Sequence, residues 1–200
     1  MSTPDIFSLK KQLVLYGAHH FNKVNIAIHM VFVPVIFWTS LVFASKTGPL
    51  ISAESLPSFL QWLSVWELNL SFFVVVFYDA YYAILDPIAA LLYAPILFTM
   101  TYTATQFQLT RPAAIQEALV LHIVSWIFQF IGHGVAEKRS PRLVDNLVQA
   151  LVSAPYFVFF EILFYLGYRP DLYREMSIDV AKDVKAFRAR REAQRKAKSL

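Results

Sequence analysis

Long apolar segments occupy most of this sequence, and they limit the possible folds more than any other feature does. A helix needs roughly 20 mostly apolar residues to cross a bilayer. Five segments approach that length: about 24–45, 62–84, 87–110, 115–136 and 146–167. Only 16% of the 200 residues are charged, whereas soluble domains contain about 25%. The sequence therefore predicts an all-α integral membrane protein, because so little polar surface cannot cover a soluble globule of this size.

The number of membrane spans follows from the distribution of basic residues. These cluster at residues 10–23, at residues 138–142 and in the tail after Arg169. Cytosolic loops carry the excess of Lys and Arg, and five complete spans would place the tail on the opposite side from the other two clusters. We therefore predict about four transmembrane helices, followed by a re-entrant or in-plane helical segment over 146–167 that breaks at Pro155. Both termini are then cytosolic.

Two junctions between the apolar segments carry helix-stopping signals. Asp86-Pro87 separates the second segment from the third, and Arg111-Pro112 separates the third from the fourth. The residue before a proline is disfavoured in the α conformation. We therefore expect one helix to end and the next to begin at each of these junctions.

The chain divides by composition into a membrane-embedded domain over residues 1–170 and a basic tail over residues 171–200. Between Lys182 and Lys198 the tail carries eight Lys or Arg residues against two acids. We interpret it as a basic C-terminal helix beside anionic lipid headgroups. The ending KAKSL resembles the dilysine signal that retrieves membrane proteins to the endoplasmic reticulum, so we predict that location. We predict no nucleic-acid partner, and the sequence indicates no oligomeric state.

Histidines concentrate at the ends of two apolar segments. The stretch HHFNKVNIAIH, residues 19–29, precedes the first segment, and His133 lies in FIGHGVAEKRSP at the end of the fourth. With four spans and cytosolic termini, His20, His29 and His133 fall at one depth on one side of the membrane. The chain has no cysteine, and imidazole is a good ligand for iron and zinc. The arrangement therefore predicts a metal ion held by these three histidines.

Such a site requires His20 and His29 to point the same way, although they are nine residues apart. On a continuous helix, at about 100° per residue, they would face opposite directions. Asn22 and Asn25 are of a residue type that caps and breaks helices. The stretch FNKVN is therefore expected to form a turn, with the first span beginning near Val24.

The residues after His133 supply further candidates. Glu137 lies one turn on and is able either to bind the metal or to orient an imidazole. Lys138, Arg139 and Arg142 form a cationic collar that suits a carboxylate. We predict that Arg139 and Arg142 bind the head of an anionic lipid substrate whose tail lies among the spans.

The two remaining histidines have different expectations. His19 is expected to cap or hydrogen-bond a neighbouring group rather than bind the metal. His122 precedes His133 by eleven residues, which is about 16 Å along a helix axis at 1.5 Å per residue. One ion cannot bridge that distance on a regular helix. We expect His122 to be neutral and hydrogen-bonded within the membrane.

The same residues carry a family resemblance. The stretches YGAHHFNKVNIAIHMVFVP and SWIFQFIGHGVAEKRSPRLVDNLVQALVSAPYFVFFEIL resemble the 2-hydroxy fatty acid dioxygenases of the endoplasmic reticulum, which have fungal, bacterial and plant members. The resemblance implies an iron(II)-dependent α-oxidation in phytosphingosine breakdown, in which a long-chain 2-hydroxy fatty acid and O₂ yield a fatty acid one carbon shorter. By motif position it places metal ligands at His20, His29 and His133. Asn25 and Glu137 are the catalytic candidates.

Two other functions fit parts of the sequence. A small membrane transporter or scaffold would use Glu67, Asp79 and His122 as a buried polar path. A zinc-dependent lipid hydrolase would keep the three-histidine site, because imidazole ligands alone do not distinguish iron from zinc. The transporter depends on the acids in mid-membrane, whereas either enzyme depends on the histidines at the membrane edge.

Overall fold

A computed structural model of the protein describes residues 5–137, 139 and 147–198, and every regular element in those ranges is a helix. Short 3-10 helices cover Asp5–Phe7, Ala53–Ser55 and Ser58–Trp66. The α-helices are Leu9–Gly17 (α1), Lys23–Ser45 (α2), Leu70–Leu85 (α3), Pro87–Thr110 (α4), Ala114–Ile131 (α5), Leu147–Tyr165 (α6) and Pro170–Lys198 (α7). A π-helical turn, Gly132–Glu137, continues α5 directly.

The chain forms two compact units. One contains Met1–Ala27 and Gly132–Leu200, and the other contains Ile28–Ile131. Both divisions fall inside continuous helices, the first within α2 and the second where α5 passes into the π-helical turn.

Three helices are long and apolar enough to cross a membrane: Lys23–Ser45, Pro87–Thr110 and Ala114–Glu137. Two bent helix pairs meet the same criterion when each pair is taken together. They are Ser58–Trp66 with Leu70–Leu85, bent by 101°, and Leu151–Tyr165 with Pro170–Lys198, bent by 117°. The protein thus has three to five candidate spans, which confirms the predicted all-α membrane fold.

The junction between α3 and α4 lies where the sequence predicted it. The side chain of Asp86 accepts a hydrogen bond from the backbone N–H of Ala89 at 3.1 Å, and Pro87 occupies the first helical position. This is a favourable helix start, because the carboxylate pairs with a free N–H and proline lacks the N–H that would have no partner there. The second predicted junction is also confirmed, since α4 ends at Thr110, directly before Arg111-Pro112.

Replacing Asp86 by alanine is expected to lower the stability of this helix pair by about 1 kcal/mol, because the N-cap acceptor is lost. That change corresponds to a fall of about 2–4 °C in melting temperature for a chain of this size. Thermal unfolding in detergent micelles measures it. Asp86→Asn keeps an acceptor oxygen and should melt close to the unaltered protein; equal melting temperatures for Asp86→Ala would contradict the capping role.

The predicted second segment, 62–84, is not one helix. Its first part belongs to the 3-10 helix Ser58–Trp66, and Glu67 and Leu68 then adopt positive φ values of 58° and 36°. Asn69 caps α3 by accepting a hydrogen bond from the backbone N–H of Phe72 at 3.3 Å. The helix breaks here because the Asn69 side chain is a favourable N-cap: its oxygen pairs with a backbone N–H in the first turn of the new helix.

The break predicted at Pro155 is wrong. Helix α6 runs without interruption through that proline, and the buried rings of Tyr156, Phe157 and Phe160 pack this stretch in the protein interior. Such packing compensates for the hydrogen bond that a proline removes. The chain bends instead at Gly167, whose φ is 85°, while the N–H of Tyr168 donates to the carbonyl of Leu163 at 2.9 Å. This is a Schellman helix end, which favours glycine.

Helix α7 packs against α1 within the first unit. The ammonium group of Lys10 lies 2.8 Å from the carboxylate of Glu175 and 3.5 Å from that of Asp179. A Cβ atom added at Gly17 would lie 2.8 Å from Cγ2 of Val180, so the two helices meet closely at this glycine. The first half of the basic tail is therefore part of the same compact unit as the segment that leads to His20.

Candidate metal centre

His20 lies in the turn between α1 and α2. Its Nδ1 is 2.8 Å from the backbone carbonyl of Tyr16, so Nδ1 carries the proton and donates it. Nε2 is then the ring nitrogen whose lone pair is able to bind a metal. The imidazole also stacks on the Tyr16 ring, with centroids 3.9 Å apart and planes at 14°. These contacts fix the orientation of the His20 ring.

His133 projects from the π-helical turn and is only 5% exposed. Turns of this kind occur frequently at functional sites, since the extra residue redirects side chains from the regular helical positions. The His133 ring stands edge-on to that of His20, with centroids 4.8 Å apart. The first unit therefore brings together two histidines that are more than a hundred residues apart in sequence.

His29 completes the group. It lies on α2, one turn after Asn25, and is 4% exposed. Helix α2 is continuous through the point where the two units divide. One ring nitrogen from each of His20, His29 and His133 lies within 4.8 Å of the others. Among the residues that the structure describes, no carboxylate belongs to this group. All three predicted ligands are thus brought together.

The donor set fits a metal ion. Imidazole nitrogens bind zinc at about 2.0–2.1 Å, and similar lengths hold for related ions, so two such nitrogens on one ion are at most about 4 Å apart. The observed limit of 4.8 Å is close to this value. Three buried imidazoles whose ring nitrogens converge form a donor set typical of a metal centre.

Glu137 holds the turn that carries His20. One carboxylate oxygen accepts the backbone N–H of Phe21 at 3.3 Å. The other accepts the backbone N–H of Asn22 and the side-chain amide of Asn25, both at 3.1 Å. From the sequence, Glu137 was able either to bind the metal or to orient an imidazole. This geometry favours the orienting role, because both carboxylate oxygens accept hydrogen bonds from the turn that carries His20 and from Asn25, one helical turn before His29.

The predicted turn in FNKVN is confirmed. Helix α1 ends at Gly17 and α2 begins at Lys23. The side-chain oxygen of Asn22 accepts the N–H of Val24 at 2.9 Å, and its amide donates to the carbonyl of Ala136 at 3.0 Å. Asn22 thus caps the turn and also ties it to the π-helical turn, a second role that residue type alone did not indicate.

Arg139 makes its contacts within the protein. One guanidinium nitrogen donates to the carbonyl of Ala18 and to the carboxylate of Asp183, both at 2.7 Å. The group also lies over the Phe187 ring, 4.5 Å from its centroid, and its side chain is 14% exposed. A role in substrate binding therefore stays a prediction for Arg139. Lys138 and Arg142, the other members of the predicted collar, lie outside the described residues.

The other two histidines are held elsewhere. Nδ1 of His19 contacts the carbonyl of Leu15 at 3.1 Å, and His19 is not in the metal group. His122 uses both ring nitrogens: Trp126 donates to Nε2 at 2.9 Å, and Nδ1 lies 2.7 Å from the hydroxyl of Thr39. Because the indole only donates, His122 has its proton on Nδ1 and is neutral. Both outcomes agree with the sequence-based expectations.

His122→Phe should therefore leave the metal content of the purified protein unchanged. It should lower the melting temperature by about 2–4 °C, because the hydrogen bonds to Thr39 and Trp126 are lost at about 1 kcal/mol in total. Elemental analysis and thermal unfolding of the same sample test both statements. A loss of metal in this variant would contradict the prediction and would indicate that His122 is a metal ligand.

The polar path expected of a transporter is not continuous among the described residues. Glu67 occupies the break before α3. Asp79 lies on α3, and one of its oxygens is buried with no hydrogen-bond partner among the described residues. The nitrogens of His122 are occupied by Thr39 and Trp126. No hydrogen bond described in the structure links the two acids to this histidine.

The fold and the site together define a class: an all-helical membrane protein with a buried three-histidine centre able to hold a metal ion. The family model described as 2-hydroxy-palmitic acid dioxygenase Mpo1-like matches residues 6–166. The chain is 32% identical over 187 residues to the Saccharomyces cerevisiae protein named 2-hydroxy-palmitic acid dioxygenase MPO1. The aligned region covers 94% of this chain and 98% of the yeast protein. The chain belongs to the Mpo1-like family. No solved structure matches it.

Proposed function

We propose that this protein is an iron(II)-dependent dioxygenase that converts long-chain 2-hydroxy fatty acids into fatty acids one carbon shorter. The observation that carries the proposal is the buried group of three histidines in a member of this family. The yeast relative is named for action on 2-hydroxy-palmitic acid, which supports the same substrate class here. The reaction balances when one 2-hydroxy acid and one O₂ give the shortened acid, CO₂ and water.

The side chains at the site have different roles in the proposed reaction. Bound by His20, His29 and His133, ferrous iron would supply open coordination positions for the 2-hydroxy acid and O₂. Nδ1 of His20 donates to Tyr16, which keeps Nε2 available. Glu137 and Asn25 act as positioning residues, since their hydrogen bonds fix the turn between the ligands. Apolar helix surfaces would receive the acyl chain and exclude water.

The proposed location is the endoplasmic reticulum membrane, with both termini in the cytosol and a role in sphingolipid breakdown. The ion pair between Lys10 and Glu175 supports termini on one side, because it joins the first and last α-helices.

The test is a reaction with defined components. The protein is purified in detergent without oxygen, its metals are measured, and iron(II), 2-hydroxypalmitate and O₂ are then added. We expect pentadecanoate to form only when iron is present, as followed by mass spectrometry. Stoichiometric zinc without this product would instead favour a zinc-dependent lipid hydrolase. Absence of any bound metal, with impairment in cells only for Asp79→Ala, would favour the transporter.

A further inference from the structure

One face of α6 lies against Tyr16, beside the histidine centre. The ring of Phe157 is 5.1 Å from that of Tyr16, centroid to centroid. Residues four apart share a helix face, so Ser153 and Glu161 lie on the same side of α6 as Phe157, one turn before it and one turn after it. This face therefore places polar side chains near a tyrosine that stacks on a candidate metal ligand.

The hydroxyl group of Tyr16 is buried and has no hydrogen-bond partner within the part of the chain that the structure describes. The residue is only 8% exposed. Burying a hydroxyl without a partner is unfavourable, so each such group in a native protein calls for an explanation. A hydroxyl with this environment, next to His20, indicates that a ligand supplies the missing partner.

The surroundings of the phenol specify what that ligand group is. A phenol keeps its proton at neutral pH, since its ordinary pKa is about 10, so the Tyr16 hydroxyl is able to donate a hydrogen bond. Glu161 lies one helical turn after Phe157, whose ring contacts that of Tyr16, and it does not accept a hydrogen bond from the Tyr16 hydroxyl. A single group that both accepts and donates a hydrogen bond would bridge the two side chains.

We propose that Tyr16 and Glu161 together bind the 2-hydroxyl group of the substrate. Tyr16 donates a hydrogen bond to the hydroxyl oxygen, and Glu161 accepts a hydrogen bond from the hydroxyl group. An alcohol suits this place because it offers one acceptor and one donor. A carboxylate does not, because it offers acceptors only and has no hydrogen to donate to Glu161. The inference rests on the proposed function and deepens it: this subsite distinguishes 2-hydroxy fatty acids from fatty acids that lack the hydroxyl.

The experiment measures binding rather than turnover. The full-length protein, loaded with iron(II) and kept without oxygen in nanodiscs, binds radiolabelled 2-hydroxypalmitate, which unlabelled 2-hydroxypalmitate or palmitate then displaces. The ratio of the two dissociation constants gives the selectivity for the hydroxyl group. Tyr16→Phe and Glu161→Gln are compared with the unaltered protein, and metal content and melting temperature are recorded for each.

We expect the unaltered protein to prefer 2-hydroxypalmitate at least about tenfold, because a site built to hydrogen-bond a hydroxyl disfavours an analogue without it. Tyr16→Phe and Glu161→Gln should each lower this selectivity about tenfold, the effect of a hydrogen bond worth about 1.4 kcal/mol. Palmitate affinity should not change. Tyr16→Phe should retain its metal and melt no lower than the unaltered protein, since the Tyr16 hydroxyl has no hydrogen-bond partner to lose in the described ranges of the chain.

Ser153→Ala is the matched control. Its hydroxyl is on the same face of α6 and is also buried with no partner among the described residues. It lies two turns from Glu161, so its removal should leave the selectivity intact. Unchanged selectivity in both Tyr16→Phe and Glu161→Gln would overturn the inference alone, as would an equal loss of affinity for both ligands. An unaltered protein with no preference for 2-hydroxypalmitate would overturn the proposed function as well.

Discussion

His133→Ala is expected to remove the bound metal and, with it, all detectable formation of the shortened acid. His133 is one of three imidazoles whose nitrogens lie within 4.8 Å of one another, so only two ligands would be left. Even residues that merely orient a ligand contribute about 10–100-fold to metal affinity, and loss of a ligand itself should exceed that range. Metal stoichiometry by elemental analysis, before and after dialysis against a chelator, measures the effect.

The chain supplies its own matched control. His19 is next to His20 in sequence, but its Nδ1 contacts the carbonyl of Leu15 and it is not in the metal group. His19→Ala should therefore retain the metal and the activity, whereas His20→Ala and His29→Ala should behave like His133→Ala. Full metal content in His133→Ala would mean that these histidines serve another purpose.

Glu137→Gln should weaken metal binding by about 10–100-fold, although Glu137 is not among the ligands. Its two oxygens receive three N–H groups from Phe21, Asn22 and Asn25. Glutamine replaces one oxygen by an amide nitrogen, which opposes a donor with a donor and removes the charge that strengthens these bonds. The turn that carries His20 should loosen, and competition with a chromophoric chelator would report the lower affinity.

Asn25→Ala provides the graded comparison, because it removes one of the three bonds and should have a smaller effect on metal affinity. A different result would change the role assigned to Glu137. If Glu137→Gln binds the metal normally but no longer turns over, Glu137 acts on the substrate itself rather than on the position of His20.

Much of the architecture could be predicted because its signals are local. The apolar segments, the capping pair Asp86-Pro87 and the turn at Asn22 each depend on a few neighbouring residues. The common depth of His20, His29 and His133 was also predictable, since span length and the distribution of basic residues set the depth of each segment. These features need no knowledge of which helix packs on which.

Features that depend on distant partners could not be predicted. Nothing near Arg139 shows that Asp183, forty-four positions later, pairs with it, so the sequence suggested an arginine free to bind substrate. Pro155 likewise signals a break, but the burial of the aromatic rings around it is visible only in the fold. The stacking of Tyr16 on His20 had a local signal, their spacing of four residues, which the sequence analysis did not use.

The contacts of Glu137 also impose an order on how the protein is made. The bond between Glu137 and the N–H of Asn22 joins residues 115 positions apart, and Arg139 adds a bond to Asp183 near the end of the chain. His20 is synthesised first, before the helices from Lys23–Ser45 to Ala114–Glu137 have been made and inserted. On the proposed function, metal loading would therefore be among the last events of biogenesis. The cell would have to deliver the ion to a chain that is already in its membrane.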